Sequence, residues 1–471
     1  MILRSFHSQP LLRAALLLSA TLAGCNLGPD YQRPEAPVPP AWRESAAAEA
    51  AWPSTDWWHG FGSPELDEHI AQARRANYDL VAALARVRQA DALATVAGAA
   101  LLPSVGLSGS AIRERVLTTG NSYVDTTQYQ GQLVASYVID FWGRNRAAQS
   151  AAIASATASR HDQQTVELTV MTGVALTYFQ ALGLQERLAV AQGNLRNAEY
   201  VLRGLRLQLE AGIATALDVA QQETTVATLS AAIPPLRQQL RQANDALAVL
   251  TGRTPESLDA ATGRLAELSL PTVRPGLPSE LLARRPDIAE AEDQLVAANA
   301  NIKVARAAFF PSIALTAGGG SASSVLSTLL HSSTGVFAVA ATLAQPIFEG
   351  GALTGQYHFA QARYEELVAN YRKTILVAFG NVEDSLAAVQ QTEEQVARQA
   401  FAVSKARRAH DIALAQLRSG TVTILTVLNT ETALFTAEDA LVQARLARLQ
   451  ALVSLFGALG GGWQREEAST G

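Results

Sequence analysis

Residues able to do chemistry are few in this chain of 471 amino acids. There is one cysteine, so neither an intrachain disulfide nor a cysteine-based zinc site can form. The seven histidines are scattered, and no two stand at a metal-ligand spacing. Charged residues make up only 17%, against about 25% in ordinary domains. Their balance is a net charge of −5, which offers no field to a phosphate backbone and argues against nucleic acid as a partner. No apolar run reaches the roughly 18–20 residues of a spanning helix; the longest, from Leu11 to Gly24, is interrupted by Arg13. Phosphate-loop, dinucleotide, zinc-protease and nucleophile-elbow motifs are absent, and the glycine runs 318–320 and 460–462 lack the setting of a phosphate loop. Catalysis, a metal and a cofactor are therefore not expected.

What fills the chain is alanine, leucine, glutamine and threonine. At 48% hydrophobic it is a composition for helices packed through small side chains, not for disorder. Arg4 and Arg13, a short apolar run and Leu22-Ala23-Gly24-Cys25 read as a secretory signal over residues 1–24. The sole cysteine, directly after a small pair, resembles a bacterial lipobox. That makes Cys25 the first mature residue, carrying N-palmitoyl and S-diacylglycerol groups, and a multiply acylated end is a stable anchor. Asn26, in place of Asp, is compatible with the outer membrane of a Gram-negative cell. Residues 25–62 are proline-rich and read as an extended tether.

The body is one unit written twice, at an offset of 208 positions. Asn77-Tyr-Asp79-Leu80 aligns with Arg285-Pro-Asp287-Ile288. Leu102-Pro103-Ser104 aligns with Phe310-Pro311-Ser312, and Glu223-Thr224 with Glu431-Thr432. The spacing predicts repeats over 63–255 and 279–460, a proline-rich link over 256–278 and a tail over 461–471. Each repeat opens with a predicted helix of about 30–40 residues (Ser63 to Ala100; Ser279 to Ala308) that a Pro-Ser pair ends. Two alternating segments follow. Val105, Leu107, Gly109 and Ala111 share one face, while Ser104, Gly106, Ser108 and Ser110 share the other. Leu133, Ala135, Tyr137 and Ile139 repeat the pattern. In the second repeat Ile313, Leu315 and Ala317 do so, then Phe337, Val339, Ala341 and Leu343. Apolar residues alternating with small or polar ones mark transmembrane β-strands. The links Arg113 to Gln128 and Gly318 to Thr334 read as outward loops.

A very long helix comes next. Arg144 to Glu210 and Gly351 to Arg418 contain no proline, and at 1.5 Å per residue each spans about 100 Å. Leu195, Ala198, Leu202, Leu205 and Leu209 repeat every 3.5 residues on average, as do Val403, Ala406, His410, Ala413 and Leu417, the spacing of a coiled-coil seam. Gly212 and Gly420 suit C-caps, and Thr215 and Thr423 suit N-caps of return helices. Pro234-Pro235 predicts a kink or break in the first return helix.

Four strands cannot close a barrel, and open edges are not tolerated in lipid. Three copies supply twelve strands and close both a β-barrel and a helical cylinder. The expected fold is mainly α with a membrane β part. Long coiled-coil hairpins form a trimeric α-barrel, and four strands per chain contribute to a 12-stranded transmembrane β-barrel, in two tandem repeats.

With Cys25, Pro29-Asp30-Tyr31, Trp57-Trp58, Asn77-Tyr-Asp-Leu80, Arg284-Arg285-Pro286-Asp287, Phe348-Glu-Gly-Gly351 and Ala458-Leu-Gly-Gly-Gly-Trp463 in this order, the chain resembles the TolC-like outer-membrane factors, in their efflux lipoprotein (NodT-type) subgroup. The resemblance implies a passive homotrimeric channel for small molecules. It implies docking on a periplasmic adaptor and an inner-membrane pump, in contact with outer-membrane lipid and with no nucleic acid. It also implies closure at the periplasmic tip, where relatives often place carboxylates. Candidates there are Glu210, Gly212, Asp218, Arg418 and Gly420. The second tip, 420–426, carries no carboxylate and departs from that pattern, and Asp218 reads equally as a first-turn helix acid. A TolC-like channel for protein secretion and a structural coiled-coil lipoprotein of the periplasm are the alternative readings.

Overall fold

The computed structural model describes residues 28–43, 51–117, 119–257 and 263–465. The signal segment and Cys25 lie outside the described residues. The first repeat contains α1 (Pro64–Ala76), α2 (Tyr78–Ala99), β1 (Ser104–Leu117), β2 (Tyr123–Ile139), α3 (Arg144–Glu210) and α4 (Ala216–Leu250). The second contains α5 (Pro278–Leu281), α6 (Pro286–Ala307), β3 (Ser312–Ser323), β4 (Gly335–Ala344), α7 (Ala352–Arg418) and α8 (Ile424–Ala458). The bounds of α6, α7 and α8 each fall 208 positions after those of α2, α3 and α4.

Two compact units divide the chain. Of the described residues, one holds 28–35, Val87–Ser159 and Ala291–Tyr371; the other holds those within 36–86, 160–290 and 372–465. The first is built on one antiparallel sheet in the order β1-β2-β3-β4. The second is helical. Its core gathers Trp57, Trp58 and Phe61 against Phe179, Leu182, Val453 and Phe456. The Trp57 and Phe456 rings stack 5.1 Å apart. Each such buried side chain contributes about 1.5–3 kcal/mol. That outweighs surface ion pairs such as Arg74–Glu167 at about 0–1 kcal/mol apiece.

Several expectations are corrected. The opening helix is split: α1 ends at Asn77, whose extended backbone stops it (φ −66°, ψ 129°). The Asn77 Oδ1 then accepts from the N–H groups of Asp79 (2.8 Å) and Leu80 (3.1 Å) and caps α2. In the second repeat Pro286 opens α6 and the preceding helix is reduced to α5. The first link read as a loop is largely strand, whereas the second is strand only to Ser323 and irregular from there to β4. β1 and β2 continue to Leu117 and back from Tyr123, across an Arg115–Asp125 pair with bonds of 2.6 and 3.0 Å. α4 runs unbroken through Pro234 and Pro235. Both prolines lie exposed between buried Ile233 and Leu236, so the carbonyls they leave unpaired face water rather than the core. The tether is irregular but pinned. In the first unit the Pro29 carbonyl accepts from Asn299 (3.1 Å), and Arg33 reaches the Tyr371 hydroxyl (2.9 Å) and Glu292 (3.2 Å). In the second unit the Trp42 indole N–H donates to the Gly276 carbonyl (2.8 Å).

The same stitch closes each repeat. The Asn77 Nδ2 donates to the carbonyl of Leu250, the last residue of α4, at 2.9 Å. At the equivalent place the Arg285 guanidinium donates to the carbonyl of Ala458, the last residue of α8, at 2.8 Å. Just beyond, Gly252 (φ +69°) and Gly460 (φ +85°) lie against the carbonyls of Ala76 and Arg284 so closely that a Cβ on either glycine would overlap that oxygen. Glycine is required there twice over, by conformation and by contact.

Gly252→Ala and Gly460→Ala should therefore each lower stability by about 2 kcal/mol or more. Gly204→Ala, in the open on α3, should leave stability unchanged or raise it by about 0.4–1 kcal/mol. Thermal unfolding of the purified protein checks both, and equal shifts for the three variants would remove the close-approach argument.

Candidate functional site

The sheet has one apolar face, and register decides which residues share it. Leu107 pairs with Leu133, Leu133 with Gly319, and Gly319 with Phe337; Val105, Ala135, Ala317 and Val339 form the next row. Directly paired residues point to the same side. All four alternating sets therefore fall on one face. Leu107 is 81% exposed and Phe337 88% exposed, values no soluble sheet face would carry. The opposite face bears mostly small and polar residues, Ser104, Gly106, Ser108, Gln132, Thr316, Gly318 and Thr342, with Val134, Val138 and Val336 among them. A sheet that is apolar on one side and small and polar on the other fits lipid on the first and water on the second. The two hairpins also agree in register: Ser104 pairs with Ser136 and Ser312 with Ala344, and each serine hydroxyl donates to its partner's carbonyl, at 3.3 and 3.4 Å.

The tips of the helical hairpins lie in the second unit. Gly212 (φ +70°) follows α3 and Gly420 (φ +73°) follows α7. Each ends its helix with the same bond pair. Gly212 and Ile213 donate to the carbonyls of Leu209 (3.0 Å) and Gln208 (2.8 Å), and Gly420 and Thr421 to those of Leu417 and Gln416 (both 3.0 Å). The return helices start differently. Thr215 and Asp218 form a capping box: the Thr215 N–H and hydroxyl both donate to the Asp218 carboxylate, at 2.8 and 2.7 Å. These bonds hold the Asp218 carboxyl below its ordinary pKa. Thr423 occupies the N-cap of α8 but makes no side-chain cap bond. Its third helical residue is Thr426, which offers no carboxylate in return.

Of the candidate tip residues, Glu210 and Arg418 end α3 and α7 and are exposed. No ion pair joins Glu210, Asp218 and Arg418 among the described residues. The seam residues do meet. Leu202 and Leu205 of the first hairpin and Ala413 of the second share a buried cluster with Val219, Ile424, Val427 and Leu428. His410 lies in the seam, where its Nδ1 is 3.5 Å from the Thr430 hydroxyl and burial lowers its pKa. Among the described residues, no group of His, Cys, Asp and Glu could hold a metal. Gln222, which carries no sequence signal, and Glu431, which in sequence is only part of a repeat match, are both fully buried.

Known proteins carry the same pattern. The family model described as outer membrane efflux protein matches this chain twice, over residues 69–253 and 277–461. The pyoverdine export outer membrane protein OpmQ of Pseudomonas putida is 42% identical over 460 residues, covering 96% of this chain and 97% of that protein. The toluene efflux pump outer membrane protein TtgF of Pseudomonas putida is 35% identical over 464 residues, covering 95% and 96%. The open-state structure of the Neisseria gonorrhoeae MtrE outer membrane channel superposes with a TM-score of 0.84 at 29% identity, covering 94% of this chain and 99% of that one. With its tandem repeats, its mainly helical body and its four-stranded sheet, the chain belongs to the outer membrane efflux protein family, as an outer-membrane channel component of efflux rather than an enzyme.

Proposed function

We propose that three copies of this chain close into one tube that passively conducts small molecules from a periplasmic adaptor and inner-membrane pump across the periplasm and outer membrane. One observation carries the reading. The sheet offers lipid an apolar face, yet β1 and β4 are both edges. Unpaired edge groups in hydrocarbon cost several kcal/mol each. Pairing β1 of one copy with β4 of the next removes every edge, and three copies give an even, twelve-stranded barrel whose small and polar face lines the bore. The repeats, 63–255 and 279–460, each supply one hairpin of strands and one of helices.

Cys25 is the proposed lipid anchor. Three peptide units separate it from Gly28, a reach of about 10 Å. Gly28 lies against Lys303 on α6, within the unit that holds the sheet. Anchor and sheet then address the same membrane. The cargoes for which the relatives are named, pyoverdine and toluene, favour a small molecule over a secreted protein. Glu210, Gly212 and Asp218 at the first tip, and Arg418 and Gly420 at the second, are the proposed closing elements. Asp218 acts there through its cap, not through its charge.

Detergent-purified protein should run as a heat-modifiable trimer and conduct ions in a planar bilayer; a monodisperse soluble monomer would overturn the reading. Leu133→Arg, on the apolar face, should cost about 2–4 kcal/mol and block membrane assembly, whereas the neighbouring Gln132→Arg should assemble and alter only ion selectivity. Outer-membrane yield and bilayer selectivity check this pair. Asp218→Ala, which forfeits about 1 kcal/mol of capping, should make cells leakier to large antibiotics, while Asp218→Asn, which keeps an acceptor for Thr215, should behave as the parent. Equal leakiness of the two would return the gate to the charge.

A further inference from the structure

The two helical hairpins pack together near their tips through Leu202 and Leu205 of α3, Val219 of α4, Ala413 of α7, and Ile424 and Val427 of α8. One carboxyl is buried beside this contact. Glu431, about two turns into α8, has no exposed surface, and neither of its oxygens has a hydrogen-bond partner among the described residues. Its polar neighbour is Gln222 of α4, equally buried. The Gln222 Nε2 donates to the Ala198 carbonyl of α3 at 2.8 Å, and its Oε1 is left without a partner. Three acceptor oxygens thus lie together, and the Gln222 amide is the group near enough to donate toward them. A proton on Glu431 supplies a donor for the Gln222 Oε1, while a charge supplies none and pays for its own desolvation.

The duplication did not demand this arrangement. The equivalent residue of the first repeat, Glu223, is exposed and paired with Arg206 at 2.7 Å. Three other charged or titratable groups of these helices have partners of their own. Arg407 of α7 binds Glu438 of α8 at 2.6 Å, Asp218 of α4 is in its cap, and His410 of α7 faces Thr430. Neither these nor Asp411 beside His410 exerts a charge effect on Glu431, whose influences are burial and the Gln222 amide.

We propose that Glu431 is a proton-operated latch between the hairpins: protonated, it ties α8 to α4 through Gln222, and ionised, it loosens the contact beside the tip. Burial pushes the carboxyl up to about 7, with the Gln222 amide drawing it partly back. In the loosened tip the group returns toward its ordinary value of 4.5. The sign follows by linkage. The latch is complete below the ordinary value, where both forms hold the proton; it weakens as pH rises through the interval and is gone above about 7. Its consequence for conduction rests on the channel reading; the latch itself does not.

The test is hydrogen exchange of residues 213–226 and 421–435 in the full-length trimer in lipid nanodiscs, at pH 5 and pH 8, corrected for intrinsic rates. Parent protection should fall roughly tenfold or more between the two. Glu431→Gln, neutral throughout, should stay protected at both. Gln222→Met, which removes the acceptor at similar volume, should weaken protection at pH 5. His410→Gln should respond as the parent does. A parent without a pH response, a Glu431→Gln variant that keeps it, or its loss in His410→Gln would each overturn the latch. Planar-bilayer conductance of the same proteins reads the channel separately. An exchange response without a conductance response supports the latch and counts against a tip gate.

Discussion

A peptide group in hydrocarbon has no water to bond, and that constraint organises this molecule. No described helix is long and apolar enough to cross a bilayer. The sheet has a face suited to lipid, but a sheet solves the backbone problem only when it has no edges. Two edges per chain therefore leave one chain incomplete in lipid, and copies of the same chain are the proposed remedy. The small inward positions follow from the same closure. A twelve-stranded barrel encloses an open bore only if its inner side chains stay short, as Ser104, Gly106, Ser108 and Gly318 do.

Duplication supplies the parts. The agreement of α2 with α6, α3 with α7 and α4 with α8 shows that the geometry of one repeat was kept whole in the other. What holds each repeat closed is a side chain from the start of its first long helix bonded to the last carbonyl of its return helix, with a glycine just beyond in contact with the backbone. The first repeat uses an asparagine and the second an arginine. The bond is conserved between the halves although the residue is not, so the constraint lies in the backbone approach and the side chain is one of several ways to satisfy the exposed carbonyl.

How much of this was legible depends on the range of the interaction. The long helices, the seam and the alternating faces are periodic, and period is local. Their ends were legible where the capping residue is itself the signal, as at Gly212, Gly420 and Thr215. The split at Asn77 was not, because asparagine is common in helices of this composition. Its cap on Asp79 and Leu80 is local, but its bond to Leu250, far along the chain, is tertiary. The strands outran their expected ends because polar residues such as Arg115 and Asp125 read as loop until the register pairs them. The prolines misled in the other direction. Their cost is small on a water-facing surface, and exposure is a tertiary property. Glu431 was invisible for the same reason, since its sequence match, Glu223, is an ordinary surface acid.

The energies explain why a single carboxyl has leverage at the tip and would have little in the helical core. The core assembles large aromatic groups from several elements, each contributing about 1.5–3 kcal/mol, so one unfavourable charge is a small fraction of the whole. Among the described residues the tip cluster holds seven buried side chains, none of them aromatic and one an alanine. An uncompensated buried charge costs several kcal/mol even after relaxation, comparable with what half of that cluster contributes. The caps at Gly212, Thr215 and Gly420 keep each hairpin intact while this happens, because their bonds lie within a hairpin and not between the two. Separation of the hairpins thus requires no helix to unwind.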